Sequence, residues 1–272
     1  MASPSAKDTR FRQSGWFSSA AVVGDLDGTL ELAALYVKGG EGVEGDAAHA
    51  LVLYRALDKT FDNATARREL AFLLATSDKV PHDLVEARRL LTVDADRGDE
   101  QSRSDLGELM MHGSFGEDHK APGRRMLEDA AAHGNVHAMM SLGTTLYYSD
   151  KPERRAGLEL WQHASEKGNS NATNNVAWAL CTAPEESLRD PARGLAIAKQ
   201  VGEGDGAPIS FKDTLAACYA ATGDFEKAET IEKAAIDIAN ARRPPLEMFA
   251  KNASARMELF HKHQVFIEAP GA

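Results

Sequence analysis

Residues 21–30 read AVVGDLDGTL. Two carboxylates, Asp25 and Asp27, stand two apart behind a short apolar run. Paired acids of this kind can do nucleophilic or acid–base work and can help hold a divalent cation. The nine histidines raise a second chemistry. His133 and His137 have the four-residue spacing of a helical metal pair, but Gly134 between them marks a helix boundary, so one helix face does not carry both. His261 and His263 are two apart on an expected helix and point to different faces. All of these read as solvated helix-end residues. The two cysteines, Cys181 and Cys218, make neither a CxxC nor a zinc pattern. Each falls in an apolar helical run and reads as a buried free thiol. A bridge between neighbouring helices stays open as the alternative, because it depends on a geometry that spacing does not give. There is no nucleophile elbow, no phosphate loop and no HExxH, and nothing calls for a cofactor or a metal.

The elements that would position these groups begin with composition. The chain has 272 residues, 43% hydrophobic and 26% charged, the ordinary range for a globular protein. Its net charge of −10 argues against non-specific binding to nucleic acid or an anionic membrane, and mildly favours a basic or mixed-charge partner. No apolar run approaches the roughly 20 residues that span a bilayer. The first residues carry Arg10 and Arg12 before a weakly apolar stretch broken by serines, which does not read as a signal peptide.

The chain repeats itself. LAALY (32–36), LAFLL (70–74), LGELM (106–110), LGTTL (142–146), VAWAL (176–180) and LAACY (215–219) align on a small second residue. These small residues are Ala33, Ala71, Gly107, Gly143, Ala177 and Ala216, spaced 38, 36, 36, 34 and 39. A second series, Ala50, Ala87, Gly123, Gly157, Gly194 and Ala228, runs between them at 37, 36, 34, 37 and 34. Each opens an apolar pattern at spacings of three and four, which means helix rather than strand. Every repeat is therefore a helix pair, A then B. Glycine within a helix costs about 1 kcal/mol relative to alanine. Gly107 and Gly143 at matching places predict close approach of B to A.

Helix starts are periodic too. Gly24-Asp25, Gly98-Asp99, Gly134-Asn135 and Gly168-Asn169 share one register, which Asp62-Asn63 and Ala207-Pro208 fill elsewhere. Glycine suits the left-handed end of one helix, and Asp or Asn the N-cap of the next. Pro208 suits a first helical turn. Arginine pairs at 67–68, 88–89, 124–125, 154–155 and 242–243 read as solvated faces supporting Asp and Glu pairs.

The pattern GD…LGxxY…GxGV…D…A…Y…A…G resembles the Sel-like repeat, a relative of the tetratricopeptide repeat. It is clearest in GDLDGTLELAALYVKGGEGVEGDAAHALVLYRAL, with Gly40, Gly42 and Val43 in the loop and Asp46 before helix B. Repeats five and six resemble the tetratricopeptide form, and ATGDFEKA in repeat six is similar to that family's inter-helix turn. The resemblance implies an all-α fold: a right-handed α/α superhelical solenoid of about six helix pairs over residues 22–242, its concave face lined mainly by A helices. Residues 1–21 form a tail or cap. In 243–272, Leu246, Phe249, Ala250, Ala253, Met257 and Phe260 mark a closing helix after Pro244-Pro245, and HQVFIEAPGA follows as a tail of no clear pattern.

The resemblance also implies which A-helix positions face the groove. They include Arg68 and Phe72 in repeat two, Glu108 and Met111 in repeat three, Met140, Thr144, Tyr147 and Tyr148 in repeat four, and Asn174 and Trp178 in repeat five. This set is rich in aromatic, methionine and amide groups, the composition of a binding surface. The function implied is a non-enzymatic module that binds another protein or peptide, with no nucleic acid and no membrane insertion. Some bacterial Sel-like repeat proteins neutralise a secreted toxin of their own cell, and the acidic charge suits a basic toxin; the compartment, bacterial periplasm or cytoplasm, stays open. The competing reading takes DLDGT as similar to the first motif of haloacid dehalogenase-type phosphatases, in which the first Asp attacks phosphorus and the second handles the proton beside magnesium. That requires Asp25 on a loop after a buried parallel strand. The repeat register instead places it at a helix start, with Leu26, Leu30, Ala33, Ala34 and Val37 along one side of the helix.

Overall fold

The computed structural model describes residues 25–39, 45–149, 153–204, 206–242 and 245–269. Gly24, the Gly40–Val43 loop, Pro244 and the expected tail over 1–21 lie outside the described residues. Among the described residues the structure is helical, without strands. The thirteen α-helices are α1 Leu26–Lys38, α2 Ala47–Phe61, α3 Ala64–Thr76, α4 Leu84–Asp96, α5 Glu100–Met111, α6 Lys120–Ala132, α7 Val136–Tyr148, α8 Arg154–Glu166, α9 Ser170–Thr182, α10 Pro191–Gly202, α11 Ile209–Ala221, α12 Phe225–Ala241 and α13 Glu247–His261. They form six A/B pairs and a closing helix. The pairs fall into two compact units, divided between Asn135 and Val136.

Acid and amide caps start the helices. Asp25, Asn63, Asp99 and Asn169 accept hydrogen bonds from the backbone N–H three residues on, at 2.8, 2.8, 2.7 and 2.8 Å. Asp46, Asp83, Asp190 and Asp224 do the same for B helices. Each such bond satisfies one of the four N–H groups that a helix leaves unpaired at its start. Asp25 is thus the N-cap of α1, and the strand that a phosphoryl-transfer loop needs is not found among the described residues. Pro208 differs from expectation: it is itself the N-cap, and α11 begins at Ile209.

In the first unit α1 to α6 pack in sequence, each on the next. A Cβ on Gly123 of α6 would lie 2.6 Å from the Gly107 carbonyl oxygen and 2.5 Å from the Met111 nitrogen of α5, so backbone touches backbone at this crossing. Arg67 corrects the reading of the arginine pairs as solvated. It is 4% exposed. Its guanidinium donates twice to Asp94, at 2.5 and 2.6 Å, once to Asp58, and to both the carboxylate and the carbonyl of Asp62. One cation thereby joins α2, α3 and α4, and the forked geometry satisfies a charge that burial would otherwise penalise.

In the second unit α7 and α8 repeat the glycine crossing at Gly143 and Gly157. α9 packs on α8, α10 and α11, and α13 closes the unit against α12 and α11. Cys181 of α9 and Cys218 of α11 are joined in a disulfide, their Cα atoms 5.2 Å apart. The reading as free thiols is therefore overturned. α9 and α11, the A helices of repeats five and six, lie side by side, and that adjacency is the geometry a bridge requires.

Candidate functional site

Four of the expected groove residues lie in the first unit. Arg68 Nε of α3 lies 3.2 Å from Asp105 Oδ2 of α5, which ties the two A helices together. Phe72 is half-buried and lines a hollow of about 180 Å³ with Val37, Glu69 and Thr76. Glu108 is half-buried and Met111 buried. A larger hollow of about 690 Å³, which the sequence did not point to, lies along α4 and the turn after α5. Leu84, Val85, Arg88 and Phe115 line it.

In the second unit the expected residues converge. Tyr147 sits at the end of α7 and is fully buried. Its ring lies 4.8 Å from Trp161 of α8 and 4.8 Å, edge to face, from Tyr148. The Arg154 guanidinium covers Tyr147 at 5.6 Å and pairs with Glu185 at 2.7 Å. Arg154 too is buried, again against the solvated reading. Trp178 stands on α9, one turn beyond Asn174. Asn174 is 8% exposed, and its Oδ1 has no hydrogen-bond donor. Met140 packs half-buried on the core, while Thr144 is exposed and donates back to the Met140 carbonyl at 2.8 Å.

The chain after α13 returns to this surface. Residues 264–269 have no regular structure, and Phe266 and Glu268 are half-buried. The Phe266 ring lies 5.7 Å from Trp178, and the Arg256 guanidinium lies 5.7 Å from the Trp178 ring and 5.6 Å from Phe266. Glu268 accepts three side-chain hydrogen bonds: from Trp178 Nε1 at 2.6 Å, from Tyr147 at 3.1 Å and from Tyr148 at 3.3 Å. Its own N–H donates to the Thr182 carbonyl at 2.8 Å. That carbonyl is one of those a helix C-terminus leaves without a partner. Burial, reinforced by the Glu268 charge, pushes both tyrosine hydroxyls well above their ordinary range, so they remain protonated donors.

Arg256 is itself fixed from behind. Its Nη2 lies 2.5 Å from Asp213 Oδ1 of α11 and its Nε 3.2 Å from Glu232 Oε1 of α12. Burial and the adjacent Asp213 carboxylate push Glu232, which is fully buried, up to about 9. Burial also raises Asp213, against the pull of Arg256. Glu232 therefore keeps its proton near neutral pH. The cation that faces the aromatic rings is thus paired on its other side.

The structure therefore brings Tyr147, Tyr148 and Trp178 onto a single carboxylate. Sequence reasoning missed Phe266, Glu268, Arg256 and Trp161. One signal was present: Arg256 is a charge within the apolar stripe formed by Ala253, Met257 and Phe260. The arrangement presents two tyrosine hydroxyls, an indole N–H, aromatic faces and a paired cation around the Glu268 carboxylate. Among the described residues no group of three or more His, Cys, Asp or Glu could hold a metal ion, and no helix is long and apolar enough to cross a membrane.

No family profile matches the sequence, and no curated protein matches it. Solved structures do. A Sel1 repeat protein from Oxalobacter formigenes superimposes with a TM-score of 0.55 at 16% identity, over 79% of this chain and 89% of that one. A protective antigen present in uropathogenic Escherichia coli strains, displaying an SLR fold, gives 0.49 at 18% identity over 92% of this chain; this chain spans only 58% of its length. An immunity protein, Pa5087 of Pseudomonas aeruginosa, gives 0.48 at 18% identity over 89% and 84%. The first likeness establishes the fold, and the fold alone: this chain has the all-α, helix-pair architecture of a Sel1 repeat protein.

Proposed function

We propose that the protein is a non-enzymatic interaction module whose second unit holds an extended segment of a partner protein against α7 and α9. One observation carries this reading. The chain's own residues 264–269 lie on that surface as a bound peptide would, an aromatic side chain against Trp178 and a carboxylate on three donors. Aromatic residues with hydrogen-bonding tips are the groups that dominate binding surfaces. The net charge of −10 on its own favours a basic partner. The donors at this surface favour an acidic segment instead, and local chemistry decides what docks there.

A displayed peptide library panned on the full chain tests the reading. Selected peptides should bind the wild-type chain and lose binding to Tyr148→Ala/Trp178→Ala, with helical circular dichroism unchanged in the variant. Equal binding to both chains would remove this surface from the function.

A further inference from the structure

The segment after α13 is anchored in an unusual way. Phe266 and Glu268 point to the unit, while Val265 is 43% exposed and Ile267 36% exposed. Alternate residues in and out is the period of an extended peptide on a surface, not of a chain buried in a core. The segment's backbone donates twice, from Gln264 to the Leu259 carbonyl of α13 and from Glu268 to the Thr182 carbonyl of α9. Part of the surface beneath is framed by contacts that do not involve the segment: Tyr147, Trp161 and Arg154 pack on one another, and Arg256 pairs with Asp213 and Glu232. The donors that meet Glu268 would meet any carboxylate placed there. Tyr147 is buried, and a buried donor left without an acceptor is costly, so that hydroxyl favours an acceptor at this place.

We propose that this surface recognises an extended strand with an aromatic residue two positions before an acid, and that residues 264–269 occupy it until such a strand from a partner displaces them. The inference rests on the binding surface of the preceding subsection and adds the chemistry of the ligand and an internal competitor. A tethered segment acts at an effective concentration in the millimolar range. A partner strand therefore succeeds by carrying further contacts.

The probe is a fluorescein-labelled hexapeptide with the sequence of residues 264–269, QVFIEA, titrated by anisotropy into full-length chains. Phe266→Ala/Glu268→Ala loosens the internal segment and should bind the probe at least about ten-fold more tightly than the wild-type chain. Changing the probe's glutamate to glutamine (E268Q) should weaken binding to the loosened chain about ten-fold, since the bonds lost are charge-assisted. Adding Trp178→Ala to the loosened chain should abolish binding.

Equal binding to wild-type and loosened chains would overturn displacement while leaving the binding surface intact. A loosened chain that retains its helical signal, changes its tryptophan fluorescence and still ignores the probe would overturn the aromatic-x-acid pattern. Library peptides of another pattern, lost with Tyr148→Ala/Trp178→Ala, would then show that the surface itself survives. Should the double variant lose helical signal, Glu268→Gln alone takes its place: it should bind the probe more tightly than wild type, and no gain would refute the proposal.

Discussion

The Gly143–Gly157 crossing sets where Tyr147 stands, and Gly157→Ala tests it. The added Cβ would lie 2.6 Å from the Gly143 carbonyl oxygen, 3.0 Å from the Tyr147 nitrogen and 3.1 Å from the Tyr147 Cβ. The closest of these is about 0.8 Å short of ordinary contact, and the atom it meets is backbone, which cannot rotate away. α7 and α8 must part. Overpacking of this kind costs about 1–3 kcal/mol. Alanine returns about 1 kcal/mol through helix propensity and a less flexible unfolded chain. The expected net loss is about 0–2 kcal/mol, a fall in Tm of up to roughly 8 °C. Gly107→Ala is the internal control: its Cβ would meet nothing closer than 3.1 Å, so its loss should be smaller. Urea titrations followed by circular dichroism measure both, and tryptophan fluorescence reports on Trp161 beside the crossing. If Gly157→Ala stabilises the chain by about 1 kcal/mol with fluorescence unchanged, the helices are not held apart by this contact and the reasoning fails.

Reducing the Cys181–Cys218 bridge, which spans 37 residues, should cost about 4 kcal/mol by chain entropy; a urea midpoint unmoved by reductant in a chain shown to carry free thiols would contradict this. Stability should also fall as pH rises. Glu232 binds its proton more tightly in the fold, at about 9, than a free glutamate near 4.5, so between these values the folded chain carries the extra proton and alkali favours unfolding. Glu232→Gln should flatten that slope, as read from urea midpoints at pH 6 and pH 9 on the order suggested by linkage. Asp25→Asn and Asp27→Asn should preserve peptide binding and stability, and magnesium should not raise Tm, whereas Asp25→Ala should lose the cap at about 1 kcal/mol. A magnesium-dependent rise in Tm that disappears in the Asn variants would revive the metal reading.

The helix-pair repeat was legible because it rests on local signals. Small residues recur where helices touch, and Asp or Asn recurs where helices start. Features that depend on several helices meeting were not legible. Arg67 looked like half of a solvated arginine pair. It is buried because Asp58, Asp62 and Asp94 converge on it from sequence separations of 9, 5 and 27. Cys181 and Cys218 occupy different positions relative to their repeats' small residues, so pairing follows from how α9 meets α11, not from register. Tyr147, Tyr148 and Trp178 were picked out by their places on A helices. Their occupant was not, because residues 264–269 carry no helical period, and their alternation is too short to read without the surface beneath.

The most direct test of the central claim is the indole N–H resonance of Trp178 in the nitrogen-labelled full-length chain, assigned by its loss in Trp178→Phe. In the wild-type chain that proton is donated to Glu268 across 2.6 Å. It should shift on Phe266→Ala/Glu268→Ala and return toward its original position as unlabelled QVFIEA is added. A resonance that moves in the variant and then ignores the peptide, while the fold is intact, would contradict the account: the surface would be a seat for one segment of this chain and not a binding site.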